Sequence, residues 1–140
     1  MDNPSRRRWE GLTFEQVCKD HIPQIKGKLG ISGVLSEELS WIGITEEEKN
    51  NRESGAQIDL RIDRRDQVIT ICEVNFSMNE YEIDKDYDQK LRNKIDVFRS
   101  CTNSRKPLQL AMITTYGVHK NKYSGIVSSE VLLDDLFQKD

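Results

Sequence analysis

Two adjoining runs in the middle of the chain differ in their pattern of hydrophobic and polar positions. In residues 55–63, isoleucine and leucine alternate with polar residues, whereas residues 68–76 are apolar almost throughout. Alternation with a period of two is typical of a strand with one buried face, and a continuous apolar run is typical of a strand buried on both faces. The polar residues 64–67 between the runs indicate a turn. This pattern predicts a β-hairpin whose second strand is central in a sheet.

The N-terminal third of the chain has apolar residues near helical spacing. They predict two short helices over residues 13–20 and 23–29, with Pro23 in the first turn of the second helix and Gly30 at its C-terminal stop. Residues 31–43 then predict an extended strand, and the glycines in it are positions at which such a strand can bulge.

The C-terminal half begins with a clear amphipathic pattern. From Asp84, a good N-cap residue, apolar side chains recur on one helical stripe and predict a helix. Residues 108–116 predict a buried strand, residues 126–133 a weaker strand, and residues 134–137 a closing helical turn. The order helix, three strands, helix, strand predicts an α/β protein with a mixed central β-sheet flanked by helices.

Composition supports a single domain. The chain has 140 residues, of which 36% are hydrophobic and 32% are charged. This length fits one domain over residues 9–140, with residues 1–8 as a linker or boundary segment. Residues 46–53 are polar and predict a solvated loop, which could also fold over a site. No apolar run approaches the roughly 20 residues that a membrane helix needs, so a membrane partner is not expected.

Charge and cysteine content narrow the function classes. The formal net charge of -3 counts against a stand-alone nucleic-acid binder of the basic kind, so such binding would need a local basic face or another domain. Cys18, Cys72 and Cys101 are odd in number and lack C-x-x-C spacing. This argues against a disulfide framework or a zinc knuckle and favours a reducing, cytoplasmic location.

The predicted hairpin suggests a metal site. A turn centred on Asp66 puts Asp59 opposite Glu73, and directly opposed residues of an antiparallel pair point to the same face. Two carboxylates held this close repel each other unless a divalent cation such as Mg²⁺ lies between them. Asn75 lies two residues beyond Glu73 on the same face, and Glu15 in the first helix could supply a third carboxylate.

A structural alternative explains the same acidic residues. Acidic side chains at strand ends are commonly solvated or paired with nearby arginines. Arg61, Arg64 and Arg65 are the available partners. On this interpretation Asp59 and Glu73 only stabilise the hairpin.

A set of short segments between Trp9 and Phe137 forms a wider pattern. The segments are Trp9-Glu10-Gly11, Phe14-Glu15 with Cys18, His21 to Lys26, Gly55 to Leu60, Asp63 to Asp66, Cys72 to Ser77, Ile83 to Tyr87, Leu91 to Lys94, and Thr114 to Gly117. Together they resemble the PD-(D/E)XK nuclease superfamily, and more closely the C-terminal nuclease-like domain of prokaryotic AAA-type ATP-binding proteins.

The resemblance implies a fold, a chemistry and partners. It implies a restriction-endonuclease-like αβββαβ core and hydrolysis of DNA phosphodiester bonds with Mg²⁺ or Mn²⁺. Asp59 and Glu73 match the metal-binding acids, and Glu15 resembles the acidic residue of the first helix. The ATPase domain of the parent protein would lie outside this chain, because no G-x-x-x-x-G-K-[ST] loop occurs. Assembly with a second copy of the chain is left open.

Asn75 departs from the family pattern, because it stands where the resemblance implies a lysine. An asparagine can form hydrogen bonds, but it has neither the positive charge nor the titratable amine of lysine. Some superfamily members resemble this chain in lacking that lysine, and a lysine from elsewhere can fill the space. Lys85, our catalytic candidate, and Lys94 lie on or near the helix predicted from Asp84, which is the second helix of the αβββαβ core. The alternative is a catalytically degenerate fold that serves as a DNA-binding or protein-interaction module.

Positive charge is concentrated after the hairpin. The residues are Lys85, Lys90, Arg92, Lys94, Arg99, Arg105 and Lys106. They predict contacts with the phosphate backbone of a nucleic acid. A solvated helix face of mixed charge explains them equally well, because acidic residues are interspersed.

Overall fold

A five-stranded mixed sheet forms the centre of the molecule. The computed structural model describes residues 13–43, 56–103 and 105–137. The strands lie side by side in chain order, and the first three are antiparallel while the last three are parallel. They are β1 (Ser36–Gly43), β2 (Ala56–Arg64), β3 (Ile69–Asn75), β4 (Leu108–Thr114) and β5 (Ser129–Leu132).

Helices cover both faces of this sheet. Residues 13–19 form α1, and they are followed by α2 (Ile22–Lys28) and by the long α3 (Lys85–Thr102), which connects β3 to β4. Two 3-10 helices, Ser124–Ile126 and Leu133–Phe137, flank β5. In the described part of the chain, no helix combines the length and apolar character that a membrane span requires.

The sheet separates two hydrophobic cores. On one face, Phe14 of α1 and Ile25 of α2 pack with Cys72 of β3. On the other face, Phe98 of α3 packs with Ile71 of the same strand. Because β3 contributes buried side chains to both cores, its continuous apolar sequence is explained, and the prediction of a central strand is confirmed.

Local sequence accounts for both ends of α3. The Asp84 carboxylate accepts a hydrogen bond of 2.8 Å from the backbone N–H of Tyr87, as an N-cap should. Leu91 and Phe98 supply the buried stripe that holds the helix on the sheet. Asn103 ends the helix in the left-handed conformation, with φ of 53°, which asparagine tolerates better than most residues.

Most predicted elements are confirmed, with small shifts of their ends. The two N-terminal helices and the hairpin form where they were predicted, and Gly30 follows α2 with a φ of +77°. The strand predicted over residues 31–43 starts only at Ser36, because residues 32–34 form a turn. The strand predicted over residues 126–133 is shortened to β5 by the 3-10 helices at its ends. Residues 1–8 and 46–53 lie outside the described residues.

The N-cap of α3 gives a test of this description. Asp84→Ala should lower the free energy of unfolding by about 1 kcal/mol, because the N–H of Tyr87 loses its acceptor. Urea denaturation monitored by circular dichroism would measure the loss. Asp96→Ala, an exposed change within the same helix, is the matched control and should leave stability nearly unchanged. Equal losses in the two variants would contradict the capping role.

Candidate functional site

Asp59 lies at an irregularity between the first two strands. Along the ladder, β1 advances two residues from Leu39 to Trp41, while β2 advances three residues from Arg61 to Ile58. One strand therefore carries an extra residue at Asp59, which is the definition of a β-bulge. No glycine lies between these paired positions, so the expectation of a bulge at a glycine is wrong.

The bulge changes the face to which β2 directs its side chains. Leu60 and Ile62 pack in the core under α1 and α2, whereas Ile58 packs in the core under α3. In a regular strand these three residues would share a face. Asp59 lies at the reversal, and bulges commonly re-aim a side chain in this way.

The hairpin brings Asp59 and Glu73 together. The ladder between β2 and β3 runs from Asp63 opposite Ile69 to Leu60 opposite Cys72. This is the predicted register of the hairpin, and Asp59 and Glu73 are the residues directly after its last pair. Their direct pairing stays a prediction. The backbone of β3 also donates a hydrogen bond from Val74 to the Asp59 carboxylate.

Glu73 is held by a lysine from α3. Lys94 Nζ donates to both carboxylate oxygens of Glu73, at 3.0 and 2.9 Å. Glu73 is only 3% exposed, whereas the Lys94 side chain keeps 25% of its surface accessible. The lysine therefore neutralises a carboxylate that would otherwise be buried alone in the sheet.

Both opposed carboxyls have raised pKa values. Burial is the main cause of the raised pKa of Glu73; the negative charge of Asp59 adds to it, and Lys94 opposes it. Burial is also the main cause for Asp59, followed by the charge of Glu15, while Lys94 lowers the pKa. The charge of Asp59 thus opposes the ionisation of Glu73, and the charge of Glu15 opposes that of Asp59.

Glu15 completes a group of three acids around this point. It lies on α1 and forms an ion pair of 3.0 Å with Lys19, one helical turn away. Its charge still raises the pKa of Asp59, and together with burial it raises the pKa of the Cys18 thiol to about 12. The thiol is therefore protonated and unreactive near neutral pH.

The described charges of this group do not balance. When all three acids are ionised, Glu15, Asp59 and Glu73 carry three negative charges, while Lys19 and Lys94 carry two positive charges. Each lysine is hydrogen-bonded to a different glutamate, so Asp59 is left with the Val74 N–H and no cation in contact. A proton or a bound cation can supply the missing charge.

The acids fit a metal ion in part. Among residues 13–43, 56–103 and 105–137, no group of three or more histidine, cysteine, aspartate or glutamate side chains is arranged to hold a metal ion. Asp59 and Glu73 alone can still serve Mg²⁺, which takes one or two carboxylates and completes its shell with water and substrate phosphate. The part predicted for Glu15 as a third ligand stays a prediction.

Asn75 is tied to α3 by a different contact. It lies on the same face of β3 as Glu73, and its Nδ2 donates to the Tyr87 hydroxyl at 2.8 Å. Asn75, which stands where the resemblance implies a lysine, is thus held by a hydrogen bond to a tyrosine. The pattern analysis did not single out Tyr87.

The two candidate lysines differ in position. Lys85 is exposed at the first residue of α3, whereas Lys94 lies two further turns along the helix and contacts Glu73. A signal in the sequence could have separated them. Lys94 follows Leu91 by three residues and Tyr87 by seven, which places it on the inward stripe of the helix.

In the described part of the chain, arginines do not pair with Asp59 or Glu73. The Arg64 guanidinium donates to Asp66 in the hairpin turn, with Nε 3.0 Å from Oδ1. The Arg61 guanidinium lies 6.0 Å from the centre of the Phe98 ring. Arg65 lines a pocket at the turn end of the hairpin. The alternative based on pairing with these three arginines is therefore not supported.

Part of the predicted basic surface is neutralised within the chain. Arg92 forms an ion pair of 3.0 Å with Asp88, and Lys106 forms one of 2.9 Å with Asp63. Lys94 is paired with Glu73. The remaining four predicted basic residues are exposed, and they are Lys85, Lys90, Arg99 and Arg105. The local positive face is therefore smaller than the sequence alone suggests.

A pocket of about 320 Å³ lies at the opposite end of the hairpin. It contains none of the predicted site residues, and ion pairs within the chain engage two of its basic side chains. Its lining residues are Glu37, Asp63, Arg64, Arg65, Gln67 and Lys106.

Comparisons with protein-family models, with curated proteins and with solved structures found no significant match to this chain. The described residues by themselves show an α/β domain with a five-stranded mixed sheet and three α-helices. The PD-(D/E)XK resemblance remains an expectation based on the residues that carry it.

The pH dependence of the free energy of unfolding should show how far ionised Asp59 destabilises the fold. A raised carboxyl pKa means that the folded state binds protons more readily, so stability falls as pH rises from the unfolded value near 3.8 through the folded value. Asp59→Asn removes this loss. We expect the variant to be more stable than the native sequence by about 1 kcal/mol at pH 7, with the gain shrinking toward pH 4.

Thermal and urea denaturation between pH 4 and 7 would measure this difference. Asp96→Asn, an exposed carboxyl on α3, is the control and should show no comparable gain. Destabilisation by Asp59→Asn at pH 7 would contradict the description of Asp59 as an acid without a partner cation.

Proposed function

We propose that this chain is a PD-(D/E)XK nuclease-like domain that hydrolyses DNA phosphodiester bonds with Mg²⁺ or Mn²⁺. Asp59 and Glu73 would hold the metal. Lys94 would take the part of the motif lysine that Asn75 cannot play. The observation that carries this proposal is the contact of Lys94 Nζ with both oxygens of Glu73, because it brings an amine from a different element to one of the two predicted metal ligands.

The charge of Lys94 suits the chemistry of a phosphodiester. Negative charge builds on the phosphate as the bond to the leaving oxygen breaks, and a positive group in a partly dry site stabilises that charge. Lys94 is anchored by Glu73 but a quarter of its side-chain surface remains accessible. It can therefore meet a phosphate that approaches the carboxylates.

The carboxylates have a complementary part. A bound divalent cation would polarise the phosphate and lower the pKa of a coordinated water. Among the described residues no cation contacts Asp59, and its raised pKa reflects burial and the charge of Glu15. This environment favours binding of a cation at Asp59, as expected of a metal ligand.

The remaining partners follow from the resemblance and from surface charge. The exposed basic residues of α3 and of the segment after it would contact the DNA backbone. An ATPase domain of the parent protein would supply regulation or loading of DNA. The cytoplasmic location and assembly with a second copy stay predictions.

A degenerate module is the second candidate. The observation that favours it is the same ion pair: Lys94 engages both oxygens of Glu73, and the described residues hold no group of three metal-binding side chains. In that case Lys94 would replace the metal as a permanent structural counter-ion. The fold would then bind DNA or a protein without cutting it.

Cleavage of plasmid and oligonucleotide DNA, with and without Mg²⁺ or Mn²⁺, separates these candidates. Asp59→Ala and Glu73→Ala should each reduce metal-dependent cleavage by about 100-fold or more. Lys94→Met should cause a similar loss, whereas Lys85→Met, the matched change at the exposed start of α3, removes at most one contact with the DNA backbone and should cause a much smaller loss. Circular dichroism would establish that each variant is folded. If Lys94→Met does not fold, Lys94→Arg is the replacement variant, because it keeps the positive charge.

Three results would count against the proposal or a part of it. Cleavage that survives both alanine changes would remove Asp59 and Glu73 from the site. Cleavage that appears only in Asn75→Lys would identify a disabled site and support the degenerate module. Greater loss in Lys85→Met than in Lys94→Met would transfer the role of the lysine to Lys85.

A further inference from the structure

Two polar side chains connect the position of the motif lysine with α3. Asn75 Nδ2 donates to the Tyr87 hydroxyl at 2.8 Å. The Tyr87 ring is in edge contact with the Tyr81 ring, and the ring centres are 5.2 Å apart. Burial raises the pKa values of both tyrosines, so both carry their protons near neutral pH.

The orientation of the Asn75 amide follows from this hydrogen bond. Nδ2 carries the two amide protons and donates one of them to the Tyr87 hydroxyl. The oxygen Oδ1 therefore lies on the other side of the amide and faces away from Tyr87.

We propose that Tyr87 is a positioning residue that holds the Asn75 amide so that Oδ1 accepts a hydrogen bond from the water that attacks the phosphate. The inference rests on the proposed function. No described residue donates to Oδ1, and Asn75 lies two residues from Glu73 on the same face of β3. The acceptor is therefore available beside the predicted metal ligand.

In this arrangement two residues, Lys94 and Asn75, together take the role of the missing motif lysine. A lysine ammonium carries charge and three donors but no acceptor. Lys94 supplies charge from α3, and Asn75 supplies an acceptor that can orient a water by one of its protons. If the tyrosine hydroxyl were lost, the amide could turn over and present NH₂ to the water instead.

A double-mutant cycle tests the positioning role. Tyr87→Phe should lower kcat by about tenfold, a loss within the range found for groups that orient another catalytic residue. KM and the dependence on Mg²⁺ concentration should stay the same. In an Asn75→Ala background, Tyr87→Phe should cause no further loss, because no amide is left to orient. Tyr123→Phe, which removes a hydroxyl elsewhere in the same core, is the matched control.

Two kinetic outcomes would overturn the inference. Equal losses of kcat from Tyr87→Phe with and without Asn75 would indicate that the hydroxyl acts only on folding or on another group. Full kcat in Tyr87→Phe would indicate that the orientation of the amide has no consequence.

A second measurement separates this inference from the proposed function. NMR of the Asn75 side-chain amide should show one proton that exchanges slowly with solvent, and Tyr87→Phe should abolish that protection. If the Asn75 side-chain amide protons exchange rapidly with solvent in the native protein, Tyr87 does not hold Asn75, whether or not the protein cleaves DNA. A protected amide in a protein that does not cleave DNA would support that hold and overturn the proposed function instead.

Discussion

The ion pair between Lys94 of α3 and Glu73 of β3 is the contact on which the rest of the structure depends. Glu73 lies in the central strand and is 3% exposed, and an isolated carboxylate at such a position is strongly destabilising. Removing one partner of a buried pair commonly costs about 3–5 kcal/mol. The helix must therefore dock with Lys94 over Glu73. That docking also places Tyr87 against Asn75 and Phe98 in the core.

Asp59 adds a second constraint of the opposite sign. The bulge in β2 directs it toward Glu73 and Glu15, where its charge has no cation in contact among the described residues. A fold selected for stability alone would place a neutral residue there. Local destabilisation of this kind is typical of sites that bind charge as part of their function. The unbalanced acid and the anchored lysine together favour a phosphate and a divalent cation as the missing partners.

Sequence pattern predicted the parts of this site that local physics controls. Alternating and continuous apolar runs predicted the hairpin and its central strand, and the centre of the turn predicted the hairpin register as far as Leu60 opposite Cys72. The bulge could not be predicted, since it depends on pairing with β1 across the loop. The choice of Lys94 over Lys85 depends on how α3 rotates on the sheet, although its inward stripe contained that information. Tyr87 was missed because a tyrosine on an apolar stripe resembles an ordinary core residue.

A crystal structure of the domain soaked with Mn²⁺ would test the central claim most directly, because anomalous scattering identifies the ion independently of activity. The proposed function predicts an ion bound by the carboxylates of Asp59 and Glu73, with Lys94 retained on at most one oxygen of Glu73. Absence of the ion from these carboxylates, with Lys94 still bonded to both oxygens of Glu73, would contradict it.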